Sequence, residues 1–147
     1  MRWRWIPWNE LSRDDLYAAI QLRVDVFVVE QNCHYRDLDG LDDRAFHLFG
    51  DDDDGLQAYL RAFPTDAVYP GKQCLGRVVV RESARGTGAG RELMAVAHER
   101  MAAQWGPGPI KISAQAYLQP FYESLGYVVV GEGYLEDDIP HFPMVRG

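Results

Sequence analysis

From Cys74 to Trp105 the chain reads CLGRVVV, then RESARGTGAG, then RELMAVAHERMAAQW. The first stretch is apolar at nearly consecutive positions, which suits a strand covered on both faces rather than one half open to water. The third places Leu93, Met94, Ala97 and Met101 at helical spacing. Gly106 to Pro109 ends that helix. A buried strand that feeds a helix through a glycine-rich bend calls for a parallel neighbour, because the helix carries the chain back across the sheet. All-helical and purely antiparallel folds are excluded on this segment alone.

The flanking segments supply the partners. Residues 3 to 8, WRWIPW, read as a first strand interrupted by Pro7. Ser12 followed three positions later by Asp15 resembles a capping box. Leu16, Ile20, Val24, Phe27 and Val28 then predict a helix to about Gln31. Residues 32 to 44 form a polar loop. AFHLFG and LQAYLRAF are the arms of a hairpin across Asp51 to Gly55. The four aspartates there lack the twelve-residue ligand pattern of a calcium loop, so a solvated turn accounts for them. IKISAQA is a further strand, LQPFYESLGY holds a short helix, and YVVVGEGYL and HFPMVRG are two closing strands around EDDIP. The expected architecture is α/β, a mixed central β-sheet with helices on both faces.

The 147 residues suggest one domain, 1–147, with a core of its own. Lys and Arg total 15 against 22 Asp and Glu, a net charge of −7. Nucleic acid and anionic membrane are therefore poor partners, since both are bound by basic surfaces. A cationic substrate is favoured instead. Cys33 and Cys74 have neither disulfide-scaffold nor zinc spacing, and no run of membrane-spanning length or secretion signal is visible. A soluble, cytoplasmic protein without metal is expected, and the aromatic first strand offers a surface for a homodimer.

The bend Arg85-Gly86-Thr87-Gly88-Ala89-Gly90 opens a helix. Helix starts present unpaired N–H groups and a positive dipole end, and glycines admit a ligand close to the backbone. Together with Arg85 this predicts a phosphate cradle. A P-loop is ruled out because no lysine occurs between Lys72 and Lys111. The dinucleotide fingerprint fails because Arg91 occupies its third glycine position. A bare glycine turn with no ligand is the plain alternative.

The pattern that does fit is R-x-x-G-x-G after a Val-rich strand, carried by Arg85, Gly88 and Gly90. It resembles the pyrophosphate loop of the GNAT superfamily of N-acetyltransferases. A second motif follows in the right order, strand Ile110 to Ala114 and then FYESLGY. RVDVFVVEQNCHYRDLDGLDDRAFH, SAQAYLQPFY and DDIPHFPM are similar to the ElaA-like branch. The resemblance spans nearly the whole chain.

The resemblance implies a GNAT fold with a splayed parallel strand pair, Leu75–Val80 and Ile110–Ala114. It implies acetyl-CoA as co-substrate, with its pyrophosphate on Arg85, Gly86, Thr87, Gly88, Ala89, Gly90 and Arg91. The pantetheine arm would lie along Val78, Val79 and Val80, where a backbone N–H near Val78 or Val79 meets the oxyanion. Tyr122 matches the general acid of the superfamily. Glu30, His47 and His141 are candidate bases, with a water chain as the alternative. The acceptor would be a small-molecule or peptide amine. Glu30, Asp37, Asp39, Asp42 and Asp43 are expected to attract it, and Arg23 to pair with one of these acids. Two rival readings are a CoA-binding module without turnover and an acyl-homoserine lactone synthase.

Overall fold

The computed structural model describes residues 1–147. Ser12 starts the first helix, its Oγ accepting from the Asp15 N–H at 3.0 Å, and α1 runs Arg13–Val24. The helix then widens into a π-helical turn, Asp25–Glu30, in which the N–H groups of Gln31 and Cys33 donate five residues back to the Val26 and Val28 carbonyls. Sequence periodicity predicts one helix over this range. The wider turn is the structural addition, and such turns occur often at functional sites.

Eight strands form one sheet: β1 (Arg2–Pro7), β2 (Phe46–Asp52), β3 (Gly55–Phe63), β4 (Gln73–Val80), β5 (Ile110–Gln115), β6 (Tyr127–Val129), β7 (Tyr134–Glu136) and β8 (Ile139–Arg146). Their order is β1-β2-β3-β4-β5-β8-β6, with β7 also pairing β8. The pair β4–β5 is parallel and the rest are antiparallel. The sheet is mixed, as expected. Pro7 closes an edge strand, where a missing donor is tolerated.

Helices cover both faces. The helix α2 (Ala89–Trp105) packs Leu93, Met94 and Met101 against Leu48, Leu60 and Ile112. On the other face Ala19 and Leu22 of α1 meet Phe49, Tyr59 and Val79. Adjacent residues such as Leu48 and Phe49 thus serve opposite layers, as the strand period of two requires. A short helix α3 (Gln119–Glu123) follows β5. No helix is long and apolar enough to cross a membrane.

The aspartate-rich turn is answered by arginines of β1. Arg4 pairs with Asp51 at 2.8 Å and with Asp15 at 2.9 Å, and Arg2 reaches Asp53. The closing segment differs from expectation. YVVVGEGYL is two strands, β6 and β7, both paired with β8, because residues 130–133 bulge out opposite the two residues Phe142 and Pro143. A Cβ on Gly133 would lie 2.9 Å from the Phe142 ring, so this close approach requires glycine.

Candidate active site

Strands β4 and β5 share two register positions, Gln73↔Ile110 and Cys74↔Lys111. Beyond them β5 stays with β8 as far as Gln115↔His141, while β4 stays with β3 through Tyr59↔Val79 and Ala58↔Val80. The two strands diverge, and a cavity of about 630 Å³ opens in the gap. A bulge accompanies the divergence. Between Tyr59↔Val79 and Arg61↔Gly76, Leu60 faces both Arg77 and Val78, and Arg77 takes a left-handed φ of +52°. Gly76 within the apolar run was the sequence signal for it.

The gap leaves backbone groups of β4 without strand partners. The Arg81 N–H donates to the Gln57 carbonyl of β3 at 2.8 Å. Strand alternation then turns the Val79 N–H toward β3 and those of Val78 and Val80 into the gap. The Val80 carbonyl is on that side too, accepting from Arg85 Nε at 3.0 Å. Val79 borders the cavity, but its side chain is packed under α1. Of the two residues expected to face the gap with a backbone N–H, Val78 and Val79, only Val78 does so, together with Val80.

At the outer end of the gap lies the glycine bend. Gly86 and Gly88 have φ of +77° and +85°, conformations that disfavour other residues. The first bond of α2 runs from the Glu92 N–H to the Gly88 carbonyl, so the N–H groups of Ala89, Gly90 and Arg91 have no intrahelical partner. Arg85, Gly86, Gly88, Gly90 and Arg91 line the cavity. Thr87 does not, and its hydroxyl donates to the Ala84 carbonyl at 2.6 Å. The Ala89 side chain is buried. These two residues offer backbone N–H groups only. Three free N–H groups, two flanking arginines and space where Gly86 and Gly88 lack side chains fit a diphosphate.

Tyr122 is buried at the inner wall, its ring edge-on to Phe121 and Tyr127. Burial pushes its phenol well above the ordinary range. The group therefore keeps its proton near neutrality, which suits an acid. Glu30 projects from the π-helical turn and pairs with Arg85 at 2.6 Å. His141 lines the cavity, with Nδ1 donating to the Ile139 carbonyl at 2.7 Å and Nε2 3.3 Å from Glu136.

His47 is not brought to the cavity. It is fully buried, Nε2 donating to the Asp42 carbonyl at 2.9 Å and Nδ1 bonded to the Tyr59 hydroxyl at 2.6 Å. Burial lowers its pKa. Its role is to hold the loop, and it is withdrawn as a base.

The acidic segment is likewise reassigned. Arg23, 0% exposed, contacts Asp42 at 2.8 Å and Asp37 at 2.9 Å. Arg61 pairs with Asp39 and Asp42, and Arg77 with Asp37 and Asp39. Burial acts to raise the Asp39 carboxyl, but the Arg61 guanidinium prevails and brings it to about 2. The pairing expected of Arg23 is present. Asp37, Asp39 and Asp42, however, are neutralised by three scaffold arginines and are not free to bind an amine.

Sequence reasoning missed Phe27, Tyr35, Glu136 and Ile139, which also line the cavity. They come from two distant regions, the end of the first helix with its loop and the last hairpin, and no spacing rule joins them. No group of three or more His, Cys, Asp or Glu is placed to hold a metal ion.

Comparison with known proteins agrees with this geometry. Protein ElaA of Escherichia coli K12 is 43% identical over 99% of this chain and 96% of its own length. The crystal structure of Escherichia coli ElaA superposes with a TM-score of 0.91 at 42% identity, covering 99% of each chain. An acyl-CoA N-acyltransferase from Pseudomonas aeruginosa reaches 0.93 at 42% identity over 100% of both chains. BjaI, a CoA-dependent acyl-homoserine lactone synthase solved with MTA, shares the fold alone, at 20% identity, a TM-score of 0.78 and 96% of this chain against 80% of its own. The model of the acetyltransferase (GNAT) domain matches residues 23–146, from the buried arginine of α1 to the end of β8. Splayed strands, a glycine bend that opens a helix and likeness over nearly the whole chain all lead to one assignment: this chain belongs to the GNAT acetyltransferase family.

Proposed function

We propose that the chain transfers the acetyl group of acetyl-CoA to the nitrogen of a primary amine, by direct attack in a ternary complex, in the cytoplasm where that thioester is supplied. The observation that carries this reading is the gap between β4 and β5, with the N-terminus of α2 at its outer end. An extended chain of amides entering the gap satisfies the backbone groups of Val78 and Val80, as an added strand does. Its diphosphate then meets the N–H groups of residues 89–91, where Arg85 and Arg91 supply charge.

The chain's own groups divide the work. The Val78 N–H points to where negative charge develops on the thioester oxygen, and one such donor typically contributes ~100–1000-fold in rate. Tyr122 holds a proton for the departing sulfur. Arg85 exchanges its Glu30 partner for phosphate oxygens on ligand entry.

Calorimetry with acetyl-CoA tests the reading first. Saturable binding is expected, weakened at least ~10-fold in Gly88→Val, whose branched side chain both crowds the bend and resists positive φ. Thiol release with primary amines tests turnover. No heat with acetyl-CoA overturns the reading, and binding without thiol release from any amine selects a CoA-binding module.

A further inference from the structure

On the side of the cavity formed by the β7–β8 hairpin, where β8 pairs with the far end of β5, His141 meets Glu136. The Ile139 carbonyl can only accept a hydrogen bond, so the 2.7 Å contact places the proton of a neutral His141 on Nδ1. Nε2 then presents its lone pair toward Glu136 Oε2 at 3.3 Å. A proton on Nε2 makes this contact an ion pair with Glu136; when Nε2 is bare, a donor must lie between or beside the two acceptors. The ring cannot swing away. It is 6% exposed, its backbone is paired with Gln115 of β5 and Tyr134 of β7, and Tyr134 stacks on it at 18° with its hydroxyl bonded to Ser113. Glu136, half-exposed, has no lysine or arginine partner.

Resting on the acetyltransferase reading, we propose that His141 Nε2 and Glu136 form the acceptor subsite, which takes a primary ammonium group carried on an apolar or aromatic body. Glu136 and Nε2 each receive one N–H of the ammonium. Phe27, Tyr35 and Ile139 also line the cavity and accommodate the apolar body. Arg85 and Arg91 line the cavity on the side of the glycine bend, Glu136 and Asp137 on the side of the β7–β8 hairpin, and Arg77 also borders it, over the Tyr35 ring. The other titratable groups nearby are Cys33, Tyr35, Tyr69 and Tyr134; the cations beyond them are Arg77, which lies over the Tyr35 ring at 5.1 Å and is paired with Asp37 and Asp39, and Lys111, which lies over the Tyr69 ring at 4.5 Å.

The proton balance is complete without any further reagent. The ammonium gives one proton to Nε2, and the freed lone pair forms the C–N bond at the thioester carbon. The C–S bond breaks, its electron pair leaves on sulfur, and sulfur takes the proton of Tyr122. The second proton shed by nitrogen restores Tyr122, and His141 releases its proton to solvent, leaving an amide and a thiol.

Steady-state kinetics with acetyl-CoA and phenethylamine, with cadaverine as a second probe, tests the subsite. His141→Asn keeps a side-chain N–H for the Ile139 carbonyl but removes Nε2. It is expected to lower kcat ~100-fold or more and to bind acetyl-CoA as the wild type does. Glu136→Gln is expected to raise the amine KM ~10-fold with kcat within about threefold. Phenethylamine is expected to be preferred over cadaverine. Variants that match the wild type in both parameters overturn the subsite while leaving the acetyltransferase reading intact. A wild type that binds no acetyl-CoA, or acetylates neither amine, overturns the function first.

Discussion

Tyr122 has a ring held by two aromatic edges and a hydroxyl that bonds no protein group. A hydroxyl with no structural partner is removed at little cost to the fold, so its loss isolates chemistry from packing. Tyr122→Phe is expected to lower kcat ~100–10,000-fold with an unchanged melting temperature and an unchanged Kd for acetyl-CoA. Equal turnover would remove the tyrosine from the mechanism. Tyr122 was singled out through the resemblance carried by FYESLGY, and the structure places it in the cavity wall. Glu136 was not singled out. The tight β7–β8 hairpin that carries it was anticipated around EDDIP, but no motif marks one acid of that turn as facing a cavity formed with distant segments.

The loop between the π-helical turn and β2 shows how an element is held when its composition is polar. Arg23 leaves α1 and Arg61 leaves β3 to meet Asp42, and Arg77 reaches in from the bulge. Arg23 also lies over the Tyr59 ring at 5.9 Å. A buried ion cluster is sensitive to the loss of one member, because the charge left behind keeps its desolvation cost. Asp42→Asn is expected to lower unfolding stability by about 3–5 kcal/mol in urea titrations. That is a large share of the ~5–15 kcal/mol typical of a domain. A change below about 1 kcal/mol would show that solvent reaches the cluster. Sequence charge density on this loop suggested ligand binding. What distinguishes the two outcomes is where Arg61 and Arg77 point, and their register on β3 and β4 depends on the bulge.

For the molecule as a whole, the buried strand, the glycine bend and the amphipathic α2 were sufficient to anticipate the layers, while the splay was anticipated from the family resemblance. The path of the last thirty residues was not, since β8, the last strand, inserts between β5 and β6, both made before it. The assembled fold also sets its own acid limit. Burial holds the His98 pKa down to about 4 from an ordinary 6.5, with Nε2 bonded to the Tyr127 hydroxyl at 2.8 Å. The unfolded chain therefore binds a proton between those values that the folded chain refuses. Stability from this group is complete above pH 6.5 and is lost as the pH falls toward 4. His98→Gln is expected to flatten that slope in urea midpoints taken across the range. His47, also lowered by burial, leaves part of it in place. An identical slope would assign the acid sensitivity elsewhere. The two-rung junction between β4 and β5 has a mechanical consequence. Four strands stand on either side of a seam stitched only at its base, so whatever threads the seam also splints the two halves, and the molecule becomes stiffest at the moment it is loaded.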